Sequence, residues 1–227
     1  MGTGWQYRHY INLHKGTILP YSFLLFRLGG LDPLEVRPGR AGTGRGRGPG
    51  LTPGSQDWTA SLYLALHGGY GALWVLKDTY FGDAQWATPL PFYRGLVDTL
   101  LGLALPSRRS GLSVLLGLQL YTAAPIIIAR NQPVCTPGLG CAAVAVWGLG
   151  LFMHFGSDAQ KFFVLKARQE RRLITDGFFK FTRNPNYFGE LLTYASFAML
   201  SQHWLPFLTL ATFVVVVFWP NMLQKER

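Results

Sequence analysis

Apolar residues in this chain gather into long unbroken runs instead of alternating with polar ones. Residues 58–76 (WTASLYLALHGGYGALWVL), 111–129 (GLSVLLGLQLYTAAPIIIA), 139–155 (LGCAAVAVWGLGLFMHF) and 204–220 (WLPFLTLATFVVVVFWP) contain no Lys, Arg, Asp or Glu. Each has the roughly 17–25 residues that a helix needs to cross the hydrocarbon core of a bilayer. A fifth run, 187–201 (YFGELLTYASFAMLS), is broken only by Glu190 and is parted from the fourth by Gln202 and His203, so the two are read as a helical hairpin. Residues 89–106 form a weaker sixth run, interrupted by Arg94 and Asp98, which stand four apart on one helix face and can pair there. The pattern predicts an all-α, polytopic integral membrane protein with about six transmembrane helices and both termini cytoplasmic.

Composition supports this picture and removes others. Of 227 residues 49% are hydrophobic and 14% charged, against roughly 25% charged in an ordinary soluble domain. Two cysteines cannot staple a fold of this length. A formal net charge of +10 invites a nucleic-acid reading, but its distribution gives another. The six-span arrangement places 18 of the 21 Lys and Arg on the cytoplasmic side, leaves Lys77 and Arg130 outside, and keeps Arg94 within a span. On that count residues 17–28 (TILPYSFLLFRL) are an interfacial or re-entrant piece of a cytoplasmic or interfacial segment 1–36, and no nucleic-acid partner is expected. Residues 37–57 read as a disordered Gly, Pro and Arg-rich linker with no apolar period that could bury a face, and residues 58–227 as the membrane domain. Met1–Tyr10 is too polar to begin a signal peptide.

Few motifs carry chemistry. Gly138-x-Gly140-x-x-Ala143 matches a relaxed dinucleotide fingerprint, but it opens a span where small residues serve close helix packing instead. Cys135 and Cys141 are too few for a metal site, and no metal is expected. The informative stretch is 154–190, HFGSDAQKFFVLKARQERRLITDGFFKFTRNPNYFGE. Asn184 followed by Pro185 reads as an N-cap and first helical position, so the next helix would point its unpaired N–H groups at the cytoplasmic surface, a natural place for an anion. Lys161, Lys166, Arg168, Arg171, Arg172 and Arg183 would surround it, although retention of basic residues on the inner face explains them equally well. Glu190 weighs more, because an ionisable side chain one turn into a span is costly. Asp158 and Asp176 sit among charges that can pair with them. Upstream, Tyr63, His67 and Tyr70 share one helix face, with Tyr121 a further polar group in a later span.

GSDAQKFFVLK followed by LITDGFFKFTRNPNYFGELL resembles the carboxy-terminal half of the steroid 5α-reductase-like membrane proteins, which share their architecture with sterol reductases and isoprenylcysteine carboxyl methyltransferases. LHGGYGALWVLKD and WPNML extend the similarity over residues 58–224. The resemblance implies an oxidoreductase that reduces a carbon–carbon double bond of a steroid, sterol or other lipid with NADPH, in a bilayer of the endoplasmic reticulum or another endomembrane. Carried over by position, it gives cofactor contacts to Asp158, Asn186, Tyr187 and Glu190 and phosphate contacts to Lys161, Lys166, Arg168, Arg171 and Arg183. The acid that polarises the substrate carbonyl comes from earlier spans in that family, and His67, Tyr70 and Asp98 are the candidates here. Two alternatives stand beside it: an S-adenosylmethionine-dependent membrane methyltransferase of the same architecture, and a truncated, non-catalytic membrane protein. Neither the substrate nor the oligomeric state can be read from the chain.

Overall fold

A computed structural model describes residues 4–35, 37–38, 56–82, 87, 89, 122–168 and 173–225. Among them the chain is helical apart from a two-residue antiparallel pairing of β1 (Arg37–Pro38) with β2 (Gln56–Asp57) and a bridge between Gln6 and Pro89. The principal helices are α1 (Tyr7–Leu28), α2 (Thr59–Phe81), α3 (Pro137–Ala167) and α4 (Pro185–Ser201), and residues 122–131 are also helical. The last helical stretch is α5 (Trp204–Phe213), which passes through a π-helical turn over Val214–Phe218 into α6 (Trp219–Lys225).

Local signals account for the ends of these helices. Pro137 opens α3 at a position whose missing N–H costs nothing, and the Thr136 hydroxyl caps the helix by accepting from the Leu139 N–H at 3.2 Å. Pro185 opens α4 in the same way, but Asn184 occupies the N-cap position without a side-chain cap bond. Gln202 ends α4 in the left-handed region (φ 48°), and His203 restarts the helix with Nδ1 accepting from the Leu205 N–H. The expected hairpin of the fourth and fifth apolar runs is thus present.

Two spans, Pro137–Ala167 and Trp204–Leu223, are long and apolar enough to cross a membrane. The other described helices are less apolar or shorter: α1 carries His14 and Lys15, α2 dilutes its uncharged run with His67, two tyrosines and three glycines, and α4, at 17 residues, carries Glu190. Six spans are therefore more than the described helices establish.

Close backbone approaches set the packing. A Cβ on Gly71 of α2 would lie 2.3 Å from the Lys15 carbonyl of α1, and one on Gly189 of α4 would lie 2.3 Å from the His154 nitrogen of α3. Small residues let helices meet where larger ones would hold them apart. Gly140 has the role expected of it, receiving the Trp58 indole where a Cβ would lie 2.4 Å from that ring. Between α1, α2 and α4 lies an aromatic core in which the Phe26 ring meets Tyr63 edge-on, and the His67 ring stacks on Phe197 at 4.2 Å.

These contacts fix the direction of each helix. α1 runs antiparallel to α2, with Asn12 near Asp78 at one end and Phe26 near Tyr63 at the other. α2 runs parallel to α3: Trp58 donates to the Cys135 carbonyl and Thr59 to the Pro133 carbonyl, whereas Lys77 pairs with Asp158. Two expectations are corrected. Residues 17–28, read as an interfacial or re-entrant piece, are the second half of a 22-residue helix packed along α2. Lys77 and Asp158, assigned to opposite sides of the membrane, share one end of the bundle, because the lysine reaches the carboxylate directly. The sorting of 18 basic residues to one side depended on that assignment and does not stand. Arg94, Asp98, Tyr121, Arg171, Arg172 and most of the 37–57 linker lie outside the described residues.

Gly189→Ala is expected to lower thermal stability by about 1–3 kcal/mol, the usual cost of forcing an extra group into a filled contact; melting curves unchanged from the parent would contradict the α3–α4 contact. The helix directions are checked by cysteines placed at exposed Leu28 and Phe181 in a Cys141→Ser background. In sealed vesicles an impermeant maleimide should reach them from opposite faces, and labelling of both from one face would refute the arrangement.

Candidate functional site

The most chemically unusual point of the bundle is a buried ion pair. Lys15 of α1 is 7% exposed, and its ammonium stands 3.5 Å from Oε1 of Glu190 on α4. The same ammonium donates to Tyr194 Oη at 3.0 Å and to Tyr70 Oη at 3.3 Å. Both phenols donate in turn to Glu190 Oε1, each at 3.3 Å. Lysine has three N–H donors, and here they meet two hydroxyls and one carboxylate, so the network closes on itself. Burying a charge without such partners costs several kcal/mol.

A second pair lies toward the open end. Lys77 of α2 bonds Asp158 of α3, with both side chains largely covered. The Trp74 ring links the two pairs, with Lys15 Nζ 4.2 Å and Lys77 Nζ 4.6 Å from ring centroids of the indole. His154 stacks on Trp74 at 5.4 Å and 20°, and its Nδ1 is 3.0 Å from the Asn186 carbonyl. His154 Nε2 is buried with no hydrogen-bond partner among the described residues. Two openings reach this end: a narrow cleft with room for about one water, lined by Arg8, Asn12, Trp74, Lys77 and Asp78, and a shallow apolar groove of about 180 Å³ between Leu73, Leu76, Lys77, Tyr80 and Phe155. Lys77 borders both.

Tyr70 and Glu190, singled out by sequence, thus come together in one cluster. His67 does not join it: its Nδ1 lies 2.6 Å from Tyr63 Oη and its ring is packed on Phe197 one turn away. Asp158 is near the cluster but is held by Lys77, as a charge with a nearby partner would be. Asn186 contributes its carbonyl to His154, and the Tyr187 ring packs on Phe218 at 4.7 Å. Among the expected phosphate ligands, Lys161 is half-buried, Lys166 is exposed with its ammonium over the Phe162 ring, Arg168 is exposed and donates weakly to the Leu173 carbonyl, and Arg183 is exposed. Asp98 and Arg171 fall outside the described residues, and no group of three or more metal-ligating side chains occurs among the described ones. Sequence reasoning missed Lys15, Tyr194 and Trp74. Lys15 was legible as a cation two residues before the apolar stretch 17–28, and Tyr194 as the residue one turn after Glu190.

The chemistry present answers the cofactor expectation in part. Exposed cations beside the start of α4 suit the phosphates of a dinucleotide, and His154 Nε2 is a buried polar atom in want of a partner. The acids do not suit direct cofactor contact, because lysines of α1 and α2 already neutralise Glu190 and Asp158.

The class that this geometry defines is a helical bundle with two linked, buried ion pairs. Residues 112–224, just under half of the chain, match a family described as a protein of unknown function (DUF1295). That stretch holds Asp158, Asn186, Glu190 and Tyr194, while Lys15, Tyr70, Trp74 and Lys77 precede it. No curated protein and no solved structure matches the chain.

Removing either member of the inner pair strands the other in the interior. Lys15→Met and Glu190→Leu should each destabilise the protein by about 3–5 kcal/mol, while the double variant should lose much less than the sum. Additive losses in denaturation of the four proteins would show that the pair is not coupled.

Proposed function

We propose that the protein is a membrane-embedded oxidoreductase that reduces a carbon–carbon double bond next to a carbonyl in a steroid, sterol or other lipid, with NADPH as cofactor. The observation that supports this most is the convergence of Tyr70, Tyr194 and Lys15 on one oxygen of Glu190 inside an apolar bundle. Ionisable groups in such an interior are costly and are kept where they act on something. Reduction of an enone needs a donor that steadies charge on the carbonyl oxygen while hydride arrives at the β-carbon. A phenol beside an ammonium is such a donor once its single O–H turns from Glu190 to the substrate: Tyr70 Oη would give its proton to the carbonyl oxygen, and Lys15, which donates to that phenol, would offset the negative charge left on it. NADPH would supply the hydride when bound. Lys161, Lys166, Arg168 and Arg183 would hold its phosphates and Asn186 its polar end, at the face of the bundle where α4 begins. The apolar groove along Leu73, Leu76, Tyr80 and Phe155 suits a lipid substrate. Placement of α3 and Trp204–Leu223 in an endomembrane bilayer belongs to the same reading, supported by their length and apolarity.

A specific observation favours a second reading. Each charge of the cluster already has an opposite charge beside it, so the network also serves a non-catalytic membrane protein as an internal lock. The two readings, and the methyltransferase reading, separate in a thermal-shift titration of the detergent-solubilised protein. At about a hundredfold excess over its dissociation constant, NADPH should stabilise the protein by roughly 2.7 kcal/mol, and Arg183→Ala and Asn186→Ala should weaken that binding. A shift with S-adenosylmethionine alone would replace the reductase with a methyltransferase, and no shift with either would leave the lock.

A further inference from the structure

The surroundings of Lys15 have the form of a host around a guest. The Trp74 ring lies 4.2 Å from the ammonium, the hydroxyls of Tyr194 and Tyr70 accept from it at 3.0 and 3.3 Å, and Glu190 stands at 3.5 Å. An aromatic face, neutral acceptors and one carboxylate together suit a primary alkylammonium, which brings a charge and three N–H donors away from water. The walls and the occupant come from different elements: Tyr70 and Trp74 belong to α2, Tyr194 and Glu190 to α4, and α1 contributes only the cation. The walls are also joined without the guest, since Tyr70 and Tyr194 both donate to Glu190. Gly71 lets the α1 backbone come close enough to deliver the cation, because a side chain there would meet the Lys15 carbonyl.

We propose that Tyr70, Trp74, Tyr194 and Glu190 form a binding site for a primary alkylammonium, and that Lys15 is its tethered occupant, by which α1 docks on the bundle. The site recognises charge as well as shape. A tethered guest has a high effective concentration, so free amines do not displace it from the native chain. The site shares Lys15, Tyr70 and Glu190 with the reductase reading, and because its test reads melting temperature without cofactor or turnover, the two fail separately.

Chemical rescue tests it in the full-length, detergent-solubilised chain. Lys15→Ala deletes three carbons and the nitrogen, the outline of propylammonium. The melting temperature of Lys15→Ala should rise saturably with propylammonium at neutral pH, at about tenfold lower concentration than with 1-propanol, the ratio that ~1.4 kcal/mol of cation recognition gives. The native protein should show no such response, and Trp74→Leu in the Lys15→Ala background should narrow the preference for the amine while Glu190→Gln in that background should remove it. Equal rescue by propylammonium and 1-propanol would overturn the proposal, since the space would then be merely apolar. Lys15→Met provides a check that does not require Lys15→Ala to fold: it keeps the length and loses the charge, and should melt below the native protein. A Lys15→Met variant as stable as the native chain would equally overturn the cation site.

Discussion

A charge cannot remain unpaired in an apolar interior, and Glu190 carries one into the middle of the bundle. Its neutralisation by Lys15 is the constraint on which the arrangement of α1, α2 and α4 depends. The ammonium must reach the carboxylate, so α1 must lie along α2 at the level of Tyr70 and Trp74. Gly71 makes that approach sterically available, since any larger side chain would meet the Lys15 carbonyl. The phenols of Tyr70 and Tyr194 then fill the remaining hydrogen-bonding capacity. Packing and electrostatics therefore select the same geometry, each excluding arrangements that the other would tolerate.

How much of this could be read from the chain depends on the distance between partners. The shared face of Tyr63, His67 and Tyr70 follows from spacings of three and four, and the bundle buries all three. Glu190 stands out in any apolar run. The start of α4 at Asn184–Pro185 and the hairpin at Gln202–His203 follow from local turn and capping chemistry. By contrast, Lys77 and Asp158 are 81 positions apart, and nothing periodic announces their contact. Placing Lys77 by the bias of basic residues toward the inner face treated it as a solvated marker of topology, whereas burial against a carboxylate removes it from that statistic. Lys15 escaped notice for a related reason: its ionisable neighbours masked the length of α1, so the helix that supplies the cation was taken for a fragment.

The match to DUF1295 divides this network. The acids Asp158 and Glu190 lie within the matched stretch, and the lysines that neutralise them lie before it. The matched segment thus carries two negative charges into the bundle whose partners come from α1 and α2. Trp74 adds a further bond between the halves, with both ammonium groups over its rings and His154 stacked against it.

The two ends of the bundle are fastened by different physics. At the Trp58 end the links between distant segments are neutral, Trp58 to the Cys135 carbonyl, Gln132 to the Gly29 carbonyl and Gln202 to the Val134 carbonyl, while the ion pair Arg27–Asp32 joins near neighbours in the chain. At the other end the ties include the ion pairs Lys77–Asp158 and Arg8–Asp78. Added salt weakens attraction between partly solvated charges and leaves amide-to-carbonyl bonds nearly untouched. The covered Lys77–Asp158 pair is screened little, so salt acts on this end mainly through Arg8–Asp78, the more solvated of the two.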